Sequence, residues 1–142
     1  MKPANGATPL IALSAVAVDT ETTGLDVGKA RIIQIGAVSI KEGRAQPDLR
    51  FDALVDPGEP VPEASTRIHG ITSADLVGKP DFSSVWPEFQ SFTADRVLIG
   101  HSIGFDLAIM RRECLEAGIT WAQPAALCIR LLGALVNPKL PD

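Results

Sequence analysis

The sequence predicts an α/β domain, and three observations predict it. Residues 15–18, Ala-Val-Ala-Val, form a continuous apolar run of the kind a strand needs when a sheet is covered on both faces. Two further stretches read as strands: residues 31–40, rich in Ile and Val, and residues 50–55, where Phe51, Ala53 and Val55 alternate onto one face. The second half then changes to helical spacing. Ile103, Leu107, Met110 and Cys114 stripe one side of residues 103–117, and Gly118 supplies the stop.

The remaining elements follow in order. Residues 1–14 read as an N-terminal tail, and residues 15–142 as one domain with no internal repeat or linker. Residues 1–7 contain one Lys with no long apolar stretch after it, so no signal peptide is expected. Lys41-Glu42-Gly43-Arg44 forms a hairpin-like turn between the second and third strands. Residues 56–80 are punctuated by Pro and predict a loop with helical turns near 64–69 and 73–76. Asp81 can cap a helix whose apolar face is Phe82, Val85, Phe89 and Phe92, and Pro87 is expected to kink or shorten it. A short strand is expected at 97–99. A last helix is expected over 127–136, closed by Asn137-Pro138.

Composition excludes several classes. The chain has 142 residues and is 46% hydrophobic, enough for a real core. No apolar run reaches the ~18–20 residues that cross a membrane. Cys114 and Cys128 lack metal-type spacing and read as free thiols in a reducing, cytoplasmic setting. Net charge is −4, and no basic cluster is longer than Arg111-Arg112. General attraction to phosphate therefore cannot drive nucleic-acid binding. A nucleic-acid function would need a local site whose positive charge comes from metal ions.

Such a site is written into two short segments. Side chains two apart on a strand share a face, so Asp19 and Glu21 stand side by side where the first strand turns polar. Paired carboxylates are the oxygen donors that hard divalent cations take. An isolated Asp-x-Glu is a common pattern that more often does no more than solvate a strand end. The second segment, His101-Ser102-Ile103-Gly104-Phe105-Asp106, follows a short strand and opens a helix. Asp106 is favoured there by the helix dipole, and it could also complete a cluster with Asp19 and Glu21. Two ions ~3.5–4 Å apart would activate a water and stabilise the leaving oxygen of a phosphodiester.

Val18-Asp19-Thr20-Glu21-Thr22-Thr23-Gly24-Leu25, followed by Arg31-Ile32-Ile33-Gln34-Ile35-Gly36-Ala37-Val38, resembles the opening of the DEDD (DnaQ-like) 3′→5′ exonuclease superfamily, DEDDh type. That superfamily includes the proofreading subunit of bacterial replicative DNA polymerase and ribonuclease T. Ile68-His69-Gly70-Ile71-Thr72 is similar to its middle segment, and Gly100-His101 through Phe105-Asp106 to its second motif. The resemblance implies an RNase H-like mixed sheet flanked by helices. It also implies a two-metal exonuclease using Mg²⁺ or Mn²⁺, with Asp19, Glu21 and Asp106 as catalytic metal ligands. Thr22, Thr23, Gly24 and Leu25 would approach the 3′-terminal nucleotide, with Leu25 against its base. His69, Thr72, His101 and Phe105 would line the substrate groove; His69 could instead cap its own loop. The family usually has Asn where this chain has Ser102.

The resemblance breaks at the family's third motif, H-x-A-x-x-D, whose His is the general base. His101 and Asp106 have the right spacing, but Ile103 stands in place of the Ala and Asp106 already belongs to the second motif. Glu113 lies seven residues beyond Asp106, ~10 Å along a helix, too far to share its ions. The expectation is therefore a chain shortened at its C-terminus and nearly inactive alone. The alternative is a degenerate module that binds a nucleic-acid end or a polymerase without cutting. Leu131, Leu132 and Leu135 cannot all face one neighbour, so a homodimer or higher oligomer is expected through that flank.

Overall fold

In the computed structural model, which describes residues 6–139, the apolar run at 15–18 opens strand β1 (Ala15–Thr22). Alternation decides its faces. Val16, Val18, Thr20 and Thr22 are buried on one side, while Ala17, Asp19 and Glu21 emerge on the other. Strand β2 (Ile32–Lys41) pairs antiparallel with β1, and β3 (Arg44–Leu54) pairs antiparallel with β2. The turn between them has Glu42 at φ 52° and Gly43 at φ 71°. Two left-handed residues match the twist of a two-residue hairpin.

Strand β3 begins six residues before the alternating pattern does. Arg44 to Gln46 already pair with β2, and the register then shifts between Val38 and Ser39. Pro47 falls at this irregularity and cannot donate to a ladder, which hides the first half of the strand from a periodicity argument.

Helices α1 (Glu63–His69) and α2 (Ser73–Leu76) interrupt the Pro-rich segment near the expected places. Helix α3 (Phe82–Thr93) starts at the expected cap, where Asp81 accepts from the Ser84 amide at 2.9 Å. Pro87 does not shorten it. The proline removes one backbone donor, while Phe82, Val85, Trp86 and Phe89 are all buried and hold the helix on the sheet.

Strand β4 (Val97–Gly100) pairs parallel with β1, and helix α4 (Ile103–Glu116) follows. The expected last helix divides in two. Ala126–Cys128 forms strand β5, parallel to β4, and only Ile129–Val136 is helix α5. Leu127 pairs with Ile99 and Cys128 with Gly100, so a tertiary partner converts an apolar run from helix to strand. The result is a mixed sheet in the order β3-β2-β1-β4-β5. Within the segment read as a tail, Leu10–Ala12 makes one 3₁₀ turn and Leu13 is buried against Ala15 and Val97.

The main core lies between the even face of β1 and helices α3 and α4. Phe89 is central to it, 2% exposed, with ring centroids 5.6 Å from Phe51 and 5.5 Å from Trp86. Phe89→Ala should lower unfolding stability by about 3–5 kcal/mol. Urea denaturation checks this, and a loss under about 1 kcal/mol would mean the core closes over the gap.

Candidate active site

Asp19 and Glu21 leave β1 on the face turned away from the main core. Asp19 is exposed and Glu21 half-buried. Gly36 stands opposite Asp19 across the β1–β2 pair, so no β2 side chain covers it. Gln34 stands opposite Glu21 and donates to Asp52 Oδ1 at 2.8 Å. With His101 and Ile129 these residues line an open concavity of about 530 Å³.

Asp106 meets β1 from the α4 side. It sits in the first turn of the helix and is 4% exposed. Its Oδ1 accepts both the Thr20 amide at 3.0 Å and the Thr20 hydroxyl at 2.6 Å. The β1–β4 ladder ends at Ala17–Ile99, so the Thr20 amide lies beyond the reach of β4. A buried amide must find an acceptor, and Asp106 supplies it.

Two backbone features let α4 approach this closely. A Cβ on Gly100 would stand 2.7 Å from the Ile103 side chain and 2.9 Å from the Val18 carbonyl, so no side chain fits there. Ser102, the residue before α4, is left-handed at φ 54° and ψ 38°. Asn tolerates that conformation better than Ser, which gives a physical reason for Asn in the related motif.

Burial raises the Asp106 pKa above its ordinary value, and the nearby Asp19 charge adds to the rise, while the Thr20 bonds oppose it. Two carboxylates that repel across a strand create a field that a cation relieves. The donor chemistry of Asp19 and Glu21 therefore suits a hard divalent ion. Among the described residues, however, no three His, Cys, Asp or Glu side chains gather into an ion-sized group. Asp106 is directed to Thr20, so the three predicted ligands are neighbours and not a closed cluster.

The other predicted residues divide in the same way. Leu25 is 82% exposed at the tip of its loop. Thr22 donates to the Gly24 carbonyl, and the Thr23 hydroxyl donates to Glu59 and accepts the Arg31 amide. His69 Nδ1 accepts the Ile71 amide at 3.1 Å, a loop-capping bond that puts the ring proton on Nε2. Nε2 is buried with no hydrogen-bond partner among the described residues. Thr72 is the N-cap of α2, in a reciprocal box with Asp75. His101 is exposed beside Asp19, and Phe105 packs partly buried against the core. The sequence reading missed Thr20 as the partner of Asp106. It also missed Arg31 as the partner of Glu113: both Glu113 oxygens accept from the guanidinium at 2.9 Å. No local pattern signals a pair 82 positions apart.

The RNase T family pattern, an exonuclease family, matches residues 16–141, and the chain belongs to that family. It is 43% identical over 130 residues to a DNA polymerase III subunit epsilon-like protein of Rhodobacter capsulatus, covering 91% of this chain and 18% of that one. It is 35% identical over 126 residues to DNA polymerase III subunit epsilon of Aquifex aeolicus, covering 88% of this chain and 61% of that one. The chain thus spans less than two thirds of the length of these relatives. Among solved structures it resembles exonuclease X in complex with 5′ overhanging duplex DNA, with a TM-score of 0.70, 23% identity, and coverage of 89% of this chain and 66% of that one. The RNase H-like arrangement expected from the motifs is the fold of these neighbours. Among the described residues no helix is long and apolar enough to cross a membrane.

The raised Asp106 pKa has a stability consequence of definite sign. The folded state holds this proton more tightly than the unfolded chain does. That contribution is complete below the ordinary Asp value, about 3.9, and is lost as pH rises through the raised folded value. Asp106→Asn keeps an acceptor for Thr20 and removes the charge. In a chelator at pH 7 it should melt higher than the parent, and the difference should shrink on acidification. A variant that melts no higher at pH 7 would refute this.

Proposed function

We propose that this chain is part of a metal-dependent exonuclease that removes nucleotides from the 3′ end of a nucleic acid. The observation that carries the reading is the pairing of Asp19 and Glu21 on an open sheet face, with Asp106 buried one residue away against Thr20. Asp19 and Glu21 would hold a divalent ion, Mg²⁺ or Mn²⁺, with Asp106 beside it. When bound, such ions activate water and stabilise a leaving phosphodiester oxygen. The chain's own residues have separate tasks. Thr20 fixes Asp106. The loop over 22–25 presents Leu25 to the terminal base, while His69, whose Nε2 is buried, belongs to the helix that Ser65 ties to the Thr23 carbonyl. His101, which lines the concavity, would border the substrate groove, with Phe105 and Thr72 behind it.

Neither histidine stands where a general base with its own acid partner would be expected, because Asp106 is committed to Thr20 and His69 Nδ1 to Ile71. We therefore expect this stretch to hydrolyse poorly by itself, since loss of a general base costs about 10²–10⁴ in rate. The names of the relatives support association with a DNA polymerase. The exposed Leu131 and Leu135 of α5 support pairing between chains.

Two measurements test the reading. Calorimetric titration with Mn²⁺ should give weak binding that Asp19→Ala abolishes; equal heats for both proteins would overturn the metal assignment. A 5′-labelled single-stranded oligonucleotide should survive incubation with the chain and Mn²⁺. Robust digestion that Asp106→Ala abolishes would show instead that a base such as His101 is already in place.

A further inference from the structure

The loop that carries Leu25 is tied to α4 through the limb that follows the leucine. At the base of the loop its two limbs are joined twice: the Thr23 amide donates to the Arg31 carbonyl, and the Arg31 amide to the Thr23 hydroxyl, each at 2.9 Å. The Arg31 guanidinium then lies in a two-point pair with Glu113 of α4, which is 2% exposed. Glu113 Oε1 also accepts the Ile32 amide at 3.0 Å. On the same limb, the preceding helical residue, Arg112, donates to the Ala30 carbonyl at 2.6 Å and to the Val27 carbonyl at 3.3 Å. Glu116 holds that guanidinium in place at 3.0 Å.

An isolated surface ion pair adds little. The Glu113 carboxylate is different, because it is buried and shares three donors, two from Arg31 and one from the main chain. Its loss would leave the β2 entry and the Thr23 bonds without an anchor. Leu25 itself has no such support, being 82% exposed. Its position is therefore set by its loop, and the loop's position by α4. The same helix carries Asp106 in its first turn.

We infer that Arg112 and Glu113 are positioning residues for the 3′-terminal nucleotide: they fix the Leu25 loop to the helix that bears Asp106, so that the base contact and the carboxylate site keep one geometry. This rests on the 3′-end reading proposed above.

The test is a double-mutant cycle on the whole chain. The probe is a 5′-fluorescent single-stranded oligonucleotide with a free 3′ hydroxyl, followed by anisotropy in Mn²⁺. Leu25→Ala, Arg112→Gln and Glu113→Gln should each weaken binding roughly tenfold. Arg112→Gln combined with Leu25→Ala should bind no worse than Leu25→Ala alone, because the displaced loop has already lost the leucine contact. Arg112→Lys, which can still donate to the loop carbonyls, should recover most of the affinity. Melting temperatures, measured alongside, correct each value for folded fraction. If Arg112→Gln and Glu113→Gln lower melting but leave binding by folded protein unchanged, or if the double variant is additive, the positioning role is overturned. Should Glu113→Gln fail to fold, the Arg112 variants, at a partly exposed position, decide alone. If the unsubstituted chain does not bind the oligonucleotide, the 3′-end reading falls first, and this inference with it.

Discussion

The carboxylate of Asp106 accepting the Thr20 amide and hydroxyl is the constraint on which the rest of this site depends. It acts where the sheet has run out of strand: β4 no longer pairs with β1 beyond Ile99, and β1 would otherwise leave a buried donor unpaired. A helix start closes that gap in place of a strand. The closure requires Gly100, since any side chain there would collide with the Val18 carbonyl, and a left-handed Ser102 to turn the chain into α4. This pair of bonds therefore also sets how near Asp106 lies to Asp19 and Glu21, and the repulsion between Asp19 and Asp106 is the electrostatic trace of that nearness.

Much of this was legible in the sequence, for identifiable reasons. Period-two alternation alone puts Asp19 and Glu21 on one face, and a polar break after an apolar run marks the strand end. Asp81, Gly118 and the Glu42-Gly43 turn are local signals and were read from neighbours. The failures are all long-range. Leu127 and Cys128 look helical until β4 is beside them. Pro87 looks disruptive until four buried aromatic and aliphatic side chains outweigh one lost donor. Glu113, dismissed as too distant from Asp106, is engaged by Arg31 instead. In the site, residue types were readable but orientations were not: the sequence could not say that Asp106 would turn toward Thr20, or that Thr72 would spend its hydroxyl on Asp75.

The two faces of the sheet have different fates. One is filled by α3 and α4 and holds most of the buried side chains. On the other, Ala17, Val38 and Ile99 line the same open concavity as the carboxylates, with Ile129 of α5 at its rim. Helix α5 has no fully buried residue, and Leu135 is 79% exposed. Polar chemistry and apolar surface thus lie side by side in one concavity.

The strand order also governs how such a molecule can associate. One sheet edge is β5, only three residues long. The other is β3, where Pro47 breaks the row of donors and Asp48, Arg50 and Asp52 put charge along the rim. Both edges are poor templates for an added strand. Backbone-to-backbone stacking, the usual route from an exposed sheet to a fibre, is therefore disfavoured at both described edges.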